Sequence, residues 1–454
     1  MTSQSERYRT QPLRNRALRW LATVIVYASY RTVEVKRPEA DYTDRPAIVV
    51  ANHFAGFADP VLFFYGVARR PRFLAKATLW SNPAISRILD FAGAIPVHRA
   101  ADGSTAGNVD AFAACHEALR NREVIAMFPE GTTHDEAAME PLRSGAARIP
   151  LGARASGAKD IIIVPVGLHY EDKAGLRSRV YAEVGEVIEL DEAIPRLVDQ
   201  GKPENDQNRE AVQRLTAEIE RCLRAVSPDY RSMAEWDALG AAAEVVLRAE
   251  EYDPSAPISY GKREALANRL AAAPPAHKQA VVRSTTAYRD GLVRRGLRDE
   301  AVAAHARVSG APPDHAVRGF LGALGLAPAA VAGLVVNAVP MAVLALVRRI
   351  NVAPVTMATV RTLVAPVAYV TTWAVWARIL HRRMRRLGRT TGWLAGIIGG
   401  WATILAAERV VLMMRALTAW HRAQNTPDLE NVVALRTHVL DATQDAIHAA
   451  AAPE

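Results

Sequence analysis

The chain has 454 residues, half of them apolar, and 56 Lys and Arg against 47 Asp and Glu, a formal net charge of +9. This length leaves room for a sizeable core and about two to four domains. The charge suits an anionic partner: nucleic acid, a phospholipid surface or a phosphorylated substrate. The two cysteines, Cys115 and Cys222, exclude a disulfide framework and a CxxC metal knuckle and favour a reducing, cytoplasmic setting.

Residues 1–30 predict an amphipathic helix. Between Leu13 and Ala28 apolar side chains recur at three- and four-residue spacing, and arginines precede them, which is typical of a helix lying in the interface of an anionic membrane. A signal peptide is the competing interpretation, because a basic region precedes an apolar core. The strand-like alternation over residues 32–36 follows at once and favours the interfacial helix.

From residue 31 to residue 226, short apolar runs alternate with helical patterns, which predicts an α/β domain. Strands are expected at 47–51, 72–77, 94–98, 124–128, 161–166 and 179–184, and helices at 60–65, 83–91, 107–121 and 145–155. Most of the residues that could carry chemistry follow these strands, where open α/β sheets usually place their ligands.

The loop Asn52–Pro60 follows the first of these strands and contains His53 and Asp59. A neutral imidazole can take a proton from a hydroxyl near neutral pH, and a carboxylate bonded to its other nitrogen fixes the tautomer and stabilises the imidazolium. The two residues therefore form a candidate catalytic pair. Taken alone, a His near an Asp in a loop is more often a turn or capping contact.

Three further strands end in polar or special residues. The strand 94–98 runs into Arg99, whose planar guanidinium suits a phosphate. The strand 124–128 runs into Pro129, Glu130, Gly131 and Thr132, which we expect to leave a carboxylate and flexible N–H groups at the mouth of a site. The strand 161–166 carries Pro165, which we expect to shape a pocket without reacting. Read separately, each of these is an ordinary strand end or turn.

Together, in this order and spacing, these segments resemble the glycerolipid acyltransferase superfamily, which includes glycerol-3-phosphate and 1-acylglycerol-3-phosphate acyltransferases. The motifs that carry the resemblance are Asn52-His53 with Asp59, Gly93 to Arg99, Phe128 to Thr133, and Val164 to Val166. The resemblance covers about residues 30–190. It implies a mixed sheet flanked by helices, with Pro165 shaping the acyl pocket.

The sequence departs from the family pattern at two places, which bear on the branch of the superfamily and on the residues expected to bind phosphate. Five residues separate His53 from Asp59 where the commonest pattern has four, and Gly56 supplies the freedom to absorb the extra one. The form His-x5-Asp-Pro resembles the branch that acylates glycerol 3-phosphate or dihydroxyacetone phosphate. Thr133 stands where many members have Arg. The substitution moves the expected phosphate binding onto Arg99, Arg143 and Arg148.

The resemblance implies direct acyl transfer. His53 takes the proton from the acceptor hydroxyl while that oxygen attacks the thioester of acyl-CoA or acyl carrier protein, which is a co-substrate and not a bound cofactor. No Gly-x-Ser-x-Gly elbow is present, so no acyl-enzyme is expected. A metal site is disfavoured, because no histidine has a partner at the spacing that zinc enzymes use.

The remaining chain is helical in pattern. Residues 227–318 are rich in Ala, Glu and Arg and are interrupted by prolines, which predicts a helical connector without chemistry of its own. Residues 319–454 predict an all-α, membrane-associated region with three apolar stretches. These stretches are 329–347, 364–376, and 391–407 followed by 410–414.

The second and third apolar stretches fall short of the roughly 20 residues that a full span needs. The arginines that flank the second stretch on both sides would all prefer the cytoplasm. We therefore expect helices that dip into or lie along the cytoplasmic leaflet. A two-span hairpin and a buried soluble bundle remain the alternatives.

Two classes of function remain open from the sequence. The first is a membrane-associated acyltransferase of phospholipid biosynthesis whose acceptor is glycerol 3-phosphate, 1-acylglycerol 3-phosphate or another lipid or glycolipid. The second is a catalytically silent lipid-binding or scaffolding protein with the same fold. Nucleic-acid binding is disfavoured, because the chain lacks an aromatic-interleaved basic face or a groove-reading helix. The oligomeric state is left open.

Overall fold

A computed structural model of the protein describes residues 12–36, 44–66, 71–98, 108–251, 256–305 and 314–451. The chain divides into two compact units. The first comprises Met1–Asp229 and Ala353–Thr359, and the second comprises Tyr230–Val352 and Val360–Glu454. The predicted end of the α/β domain, residue 226, lies close to this division, and the other predicted domain boundaries stay predictions.

The first unit alternates strands and helices. Its strands are β1 (Tyr30–Lys36), β2 (Ala47–Ala51), β3 (Pro71–Lys76), β4 (Ile95–Val97), β5 (Val124–Met127), β6 (Ile162–Tyr170), β7 (Ser178–Val184) and β8 (Ile188–Glu189). Its helices are α1 (Pro12–Ser29), α2 (Ala58–Gly66), α3 (Pro83–Ala92), α4 (Asn108–Arg120), α5 (Gly145–Ala155), α6 (Leu190–Leu197) and α7 (Arg209–Arg224). The predicted α/β class is confirmed.

The strands form one mixed sheet in the order β1-β7-β6-β2-β5-β3-β4, with β8 on β6. Strand β2 pairs in parallel with both β5 and β6, whereas β6 pairs with β7 and β8 in the antiparallel sense. Because β2 is central, its five residues are all buried. This is the continuous apolar run expected of a strand covered on both faces.

Successive side chains of β2 point to opposite faces of the sheet and contribute to a separate core on each face. Ile48 and Val50 belong to one cluster, together with apolar residues of α4, α5 and α7. Val49 and Ala51 belong to the other, together with apolar residues of α1 and α2. The period of two along a strand therefore assigns each helix layer its own half of the core.

One strand differs in length from its prediction. Strand β6 continues past the predicted end at Val166 to Tyr170, because Val166–Tyr170 pair with β7. Pro165, inside the predicted strand, and Gly167, just past its predicted end, both lie inside the observed strand. This extension carries β6 beyond the end of β2, toward the loop that holds His53.

Helix α1 packs through Ala22 and Val26, which are buried, while Trp20, Leu21 and Tyr27 are exposed. The predicted amphipathic helix is therefore present. It leads directly into β1, which pairs with β7. Its exposed side chains include the aromatic Trp20 and Tyr27 that suit a membrane interface.

The second unit is helical in its described part. Its helices are α8 (Met233–Glu250), α9 (Tyr260–Ala271), α10 (Pro275–Arg295), α11 (Asp299–His305), α12 (Asp314–Val347), α13 (Pro354–Asn425, whose first residues belong to the first unit) and α14 (Leu429–Ala451). A buried Tyr288 donates to Asp299 at 2.7 Å and Arg436 donates to the same oxygen at 2.8 Å, which ties α10, α11 and α14 together.

Three helical segments of the described chain are long and apolar enough to cross a membrane: Phe320–Val347, Pro354–Arg383 and Thr390–Thr418, of 28, 30 and 29 residues. The expectation that the second and third stretches are too short is therefore corrected, because the helix continues through flanking Ala, Thr and Arg residues. Large apolar side chains on all three are exposed, among them Phe320, Val367 and Leu394. These features indicate membrane association.

Helix α13 folds back on itself. A Cβ on Gly392 would lie 2.5 Å from the Cα of Ala377, although 15 residues of straight helix would separate the two by about 22 Å. The rings of Trp373 and Trp393 likewise lie 6.2 Å apart. The second and third apolar segments are therefore neighbours within the second unit.

Asn337 joins the three apolar segments. Its Nδ2 donates to the carbonyls of Gly333 at 2.9 Å and Gly396 at 3.3 Å, and its Oδ1 accepts from Trp373 Nε1 at 2.8 Å. We call these four residues the Asn337 cluster. Helix α12 continues through both Asn337 and Pro340, and the Asn337 amide finds partners on neighbouring segments.

Candidate active site

The register of the central strands brings two loops together. Val50 of β2 lies opposite Met127 of β5 in a parallel pair, so the carboxyl ends of both strands meet at one edge of the sheet. His53 follows β2 and Glu130 follows β5. The backbone N–H of His53 donates to Glu130 Oε1 at 2.8 Å, which fixes the first loop to the second.

His53 and Asp59 form a direct pair, with 2.8 Å between His53 Nδ1 and Asp59 Oδ2. The Asp59 side chain is fully buried and that of His53 is 14% exposed. An ionised carboxylate only accepts hydrogen bonds, so we assign the proton to Nδ1, which leaves a lone pair on Nε2. That is the arrangement a general base requires.

The extra residue of the loop is absorbed where the sequence predicted it. Gly56 has φ +59°, a left-handed conformation that is easy for glycine. Helix α2 begins at Ala58, so Asp59 lies in its first turn, where the helix dipole favours a negative charge. The N–H of Ala55 donates to Asp59 Oδ2 at 3.0 Å. The Asp59 carboxylate therefore binds the backbone of the loop that precedes it.

Tyr170 completes the surroundings of Asp59. Its hydroxyl donates to Asp59 Oδ1 at 2.5 Å, from the end of the extension of β6. Burial, and then the Asp59 carboxylate, raise the pKa of Tyr170 well above its ordinary value, so the phenol keeps its proton. The sequence analysis missed this residue. The available signal was a tyrosine shortly after the Val-Pro-Val strand.

Asn52 holds the strand ends in register. Its Nδ2 donates to Leu168 O at 2.9 Å and its Oδ1 accepts from Leu168 N at 2.7 Å, and the side chain is fully buried. An amide that pairs with both backbone groups of one residue in this way extends the β2–β6 ladder beyond the backbone of β2. The base of the His53 loop is thereby fixed.

Glu130 lies deeper than the sequence suggested. Its carboxylate was expected at the mouth of the site, but the residue is 1% exposed. Its Oε2 accepts from Glu140 N at 2.9 Å and faces His134 Nε2 at 2.6 Å. Gly131, with φ +73°, donates its N–H to Phe128 O at 3.1 Å. The carboxylate thus binds protein donors, and its contact with substrate stays a prediction.

His134 is a further residue that the sequence analysis did not place in the site. Its Nε2 faces the Glu130 carboxylate, and its Nδ1 is buried with no hydrogen-bond partner in the described structure. Its ring lies edge-on to Phe54 at 4.9 Å. The signal in the sequence was its position four residues after Glu130. We call His53, Asp59, Tyr170, Glu130 and His134 the His53 cluster.

Aromatic rings form one wall of the site. The ring of His53 stacks on Phe128 with centroids 4.0 Å apart and an interplanar angle of 8°. Phe128 in turn contacts Phe63 and Phe73. The stacking fixes the plane of the imidazole on one face, while Asp59 fixes its rotation.

The cations predicted to bind phosphate lie in different places. Arg143 is exposed, and its Cγ lies 3.4 Å from where a Cβ on Gly131 would be, so it stands beside the Glu130 loop. Arg148 instead pairs with Asp206 at 3.6 Å and lies over the Phe112 ring. Arg99 lies outside the described residues.

The other predicted residues have structural settings. Thr132 is exposed, and its hydroxyl donates to Thr133 O at 3.4 Å. Pro165 lies inside β6 opposite Val50 and is buried, so its pocket-shaping role stays a prediction. Cys115 is fully buried, and burial raises its pKa to about 12, which is unfavourable for a thiolate nucleophile. The described residues contain no group of three or more His, Cys, Asp or Glu that could hold a metal ion.

Known acyltransferases are similar in sequence to part of the first unit. Residues 32–169 match the family model described as Acyltransferase. The chain is 32% identical over 130 residues to Glycerol-3-phosphate O-acyltransferase 2 of Saccharomyces cerevisiae, which covers 28% of this chain and 17% of that protein. It is 26% identical over 128 residues to 1-acyl-sn-glycerol-3-phosphate acyltransferase BAT2, chloroplastic, of Brassica napus. This match covers 28% of this chain and 36% of that protein.

A solved structure is also similar: the 1-acyl-sn-glycerophosphate (LPA) acyltransferase PlsC from Thermotoga maritima, at 18% identity, with 48% of this chain and 84% of that chain covered and a TM-score of 0.33. The matched segment spans only 17% and 15% of the length of two yeast relatives.

Residues 32–169 of this chain are similar to glycerolipid acyltransferases, by the family model and by the named relatives. The resemblance inferred from the motifs is therefore confirmed.

Proposed function

We propose that this protein is a membrane-associated O-acyltransferase of phospholipid biosynthesis. It transfers a fatty acyl group from acyl-CoA, or from acyl carrier protein, to a hydroxyl of a phosphorylated glycerol. Glycerol 3-phosphate is the first choice of acceptor and 1-acylglycerol 3-phosphate is the second. The observation that carries the proposal is the buried His53–Asp59 pair at 2.8 Å, in a domain of the acyltransferase superfamily.

In the proposed reaction, His53 Nε2 takes the proton of the acceptor hydroxyl while that oxygen attacks the thioester carbonyl. Asp59 stabilises the imidazolium that forms. The tetrahedral intermediate then collapses, the C–S bond breaks, and the imidazolium returns the proton to the leaving sulfur. The products are an ester and a free thiol, and the histidine ends in its starting state.

The choice of acceptor is supported by two observations. The spacing of five residues between His53 and Asp59 is that of the branch that acylates glycerol 3-phosphate, and the yeast relatives carry that acceptor in their names. Arg143 beside Gly131 is the described cation best placed to bind a phosphate near the His53 cluster. Arg99 and Arg148 are the further phosphate-binding residues of the proposal.

The proposed location is the cytoplasmic face of a membrane. Three apolar helical segments and the exposed aromatic side chains of α1 support attachment. Arginines cluster at residues 378–389, which favours the cytoplasmic side for that part of the chain. Accessibility of single cysteines introduced near Arg383 to an impermeant reagent, in intact and in opened vesicles, would test the side.

The test is transfer by the purified full chain in detergent micelles. Acyl-CoA and acyl carrier protein donors of several chain lengths are each paired with glycerol 3-phosphate, dihydroxyacetone phosphate and 1-acylglycerol 3-phosphate. Released thiol is followed continuously and the lipid product is identified by mass spectrometry. We expect one acceptor to be preferred and His53→Ala to lose about 10²–10⁴-fold in kcat.

The matched control is His277→Ala, which removes an exposed histidine from α10 and should leave transfer unchanged. A wild-type chain that acylates none of these acceptors, yet binds phospholipid vesicles as well as His53→Ala does, would overturn the enzyme and favour a silent lipid-binding protein.

A further inference from the structure

A short segment from late in the chain lies against the loops of the His53 cluster. Residues Ala353–Thr359 belong to the first unit, although more than 100 residues of the second unit precede them in the sequence. They form the first turns of α13. We call them the 353–359 segment.

Thr359 contacts the loop between His53 and Asp59. Its Oγ1 accepts from the backbone N–H of Phe57 at 3.2 Å and donates to Val355 O at 3.3 Å. A Cβ on Gly56 would collide with the same oxygen. One hydroxyl therefore lies between the helix backbone and the extra residue of the loop, and it uses both its donor and its acceptor capacity.

Asp135 makes the second contact, from the loop that carries Glu130 and His134. Its Oδ1 accepts from Val355 N at 3.2 Å and lies 2.6 Å from Lys173 Nζ. The first helical hydrogen bond of α13 runs from Met357 N to Ala353 O, so Ala353 is the N-cap and has no side-chain acceptor. Asp135 therefore supplies the missing cap from another loop.

Apolar contacts accompany the two hydrogen bonds. Ala358 is 3% exposed and belongs to the same core cluster as Phe54, Ala55 and Ala58 of the His53 loop. The 353–359 segment is thus packed into the first unit and is not attached by polar contacts alone.

We propose that the 353–359 segment is part of the acyl-transfer site, and that Thr359 is a positioning residue for the His53–Asp59 pair. The segment holds the five-residue loop through Thr359 and the Glu130 loop through Asp135, and so sets the distance between the two. The inference rests on the proposed function. In this proposal, the extra residue of the loop between His53 and Asp59 allows that loop to contact Thr359.

The expected effect follows from geometry. His53 and Asp59 keep their own hydrogen bond when Thr359 is changed, but the loop backbone at Phe57 loses its acceptor. Small displacements of a catalytic base reduce turnover strongly, because proton transfer depends on orientation. The proposal gives Thr359 protein partners only, so we expect substrate binding to change little.

The experiment compares Thr359→Val, which keeps the shape and removes the hydroxyl, with Thr359→Ser, which keeps the hydroxyl. We expect Thr359→Val to lower kcat about tenfold with KM for donor and acceptor within twofold, and Thr359→Ser to recover most of the wild-type kcat. Thr372→Val is the matched control. Thr372 makes the same bond to its own helix, to Ala368 O at 2.8 Å.

A double-mutant cycle tests the contact itself. Gly56→Ala should lower kcat about 100-fold in the wild type, because the Cβ meets Thr359 and the left-handed backbone is strained. In a Thr359→Ala background the additional loss should be clearly smaller, since the colliding oxygen is gone. Thermal unfolding of each variant shows whether the chain is folded under the assay conditions.

The two ways of failing are distinguishable. Equal kcat for wild type and Thr359→Val, in a chain that does transfer acyl groups, overturns the positioning role alone. So does a loss in Thr359→Val that Thr359→Ser does not reverse, or a loss of the same size in Thr372→Val. A wild-type chain that transfers to no acceptor overturns the proposed function and this inference with it.

Discussion

The His53 cluster and the Asn337 cluster are both buried and polar, but they differ in how their hydrogen-bonding capacity is used. In the Asn337 cluster one amide proton is bound by the preceding turn of the same helix, and the other amide proton and the amide oxygen have partners on neighbouring helical segments. In the His53 cluster the groups are titratable, and His134 Nδ1 is buried without a partner in the described structure. His53 Nε2 is likewise left with its lone pair.

We expect this difference to separate a structural cluster from a reactive one. A neutral network with every group paired stabilises one arrangement of helices and has nothing left to offer a ligand. A cluster that fixes its histidine through one nitrogen keeps the other for a proton. Substitutions in the two clusters should therefore affect different measurements.

The largest expected effect is in the His53 cluster. Asp59→Ala should lower kcat by about 10²–10⁴-fold, as His53→Ala does, and the double variant should lose no more than the larger single loss, because the pair acts as a unit. Initial rates of thiol release measure this. If the fold-loss of kcat in the double variant equals the product of the two single losses, Asp59 and His53 act independently.

In the Asn337 cluster we expect a loss of stability with little loss of activity. Asn337→Leu leaves Trp373 Nε1 without its acceptor, so the free energy of unfolding should fall by about 1–2 kcal/mol. Chemical unfolding in detergent followed by tryptophan fluorescence measures it. The double variant with Trp373→Phe should lose less than the sum of the two singles. A large fall in the kcat of folded Asn337→Leu would contradict the division between the two clusters.

A matched pair of arginines tests how far the His53 cluster extends toward the substrate. Arg143→Gln should raise KM for the phosphorylated acceptor about tenfold, because the side chain lies beside the Glu130 loop. Arg148→Gln should raise KM less, by about two- to threefold, because its guanidinium already pairs with Asp206 in a partly exposed ion pair. Saturation curves for both variants measure this, and the reverse order would place the phosphate elsewhere.

The smallest effect concerns Tyr170, whose pKa is raised in the folded protein by burial and by Asp59. In the unfolded chain the phenol ionises near pH 10, so unfolding releases its proton and stability falls as the pH rises above that value. Tyr170→Phe should therefore lose less stability than the wild type between about pH 9 and 11. At pH 7 its kcat should fall only several-fold, since Asp59 keeps its bond to His53. Identical alkaline profiles for wild type and variant would contradict the raised pKa.

Much of the first unit could be predicted because its signals are local. Apolar runs bounded by turn residues located β2, β5 and the helices α3 and α5 to within a residue or two. The loop glycine at position 56 was identified from the single extra residue between His53 and Asp59. The lengths of the second and third apolar stretches were underestimated, because the helix continues through residues that a hydropathy pattern does not count as apolar.

What the sequence by itself determined was which strand each candidate side chain follows, since strand periodicity and turn residues act over a few positions. What only the tertiary structure decided was their partners: Tyr170 on Asp59, His134 on Glu130, and Thr359 on a loop 302 residues away. The physical reason is that such contacts depend on strand register and on helix packing. Both are set by burial across the whole fold, and neither leaves a pattern within a short stretch of chain.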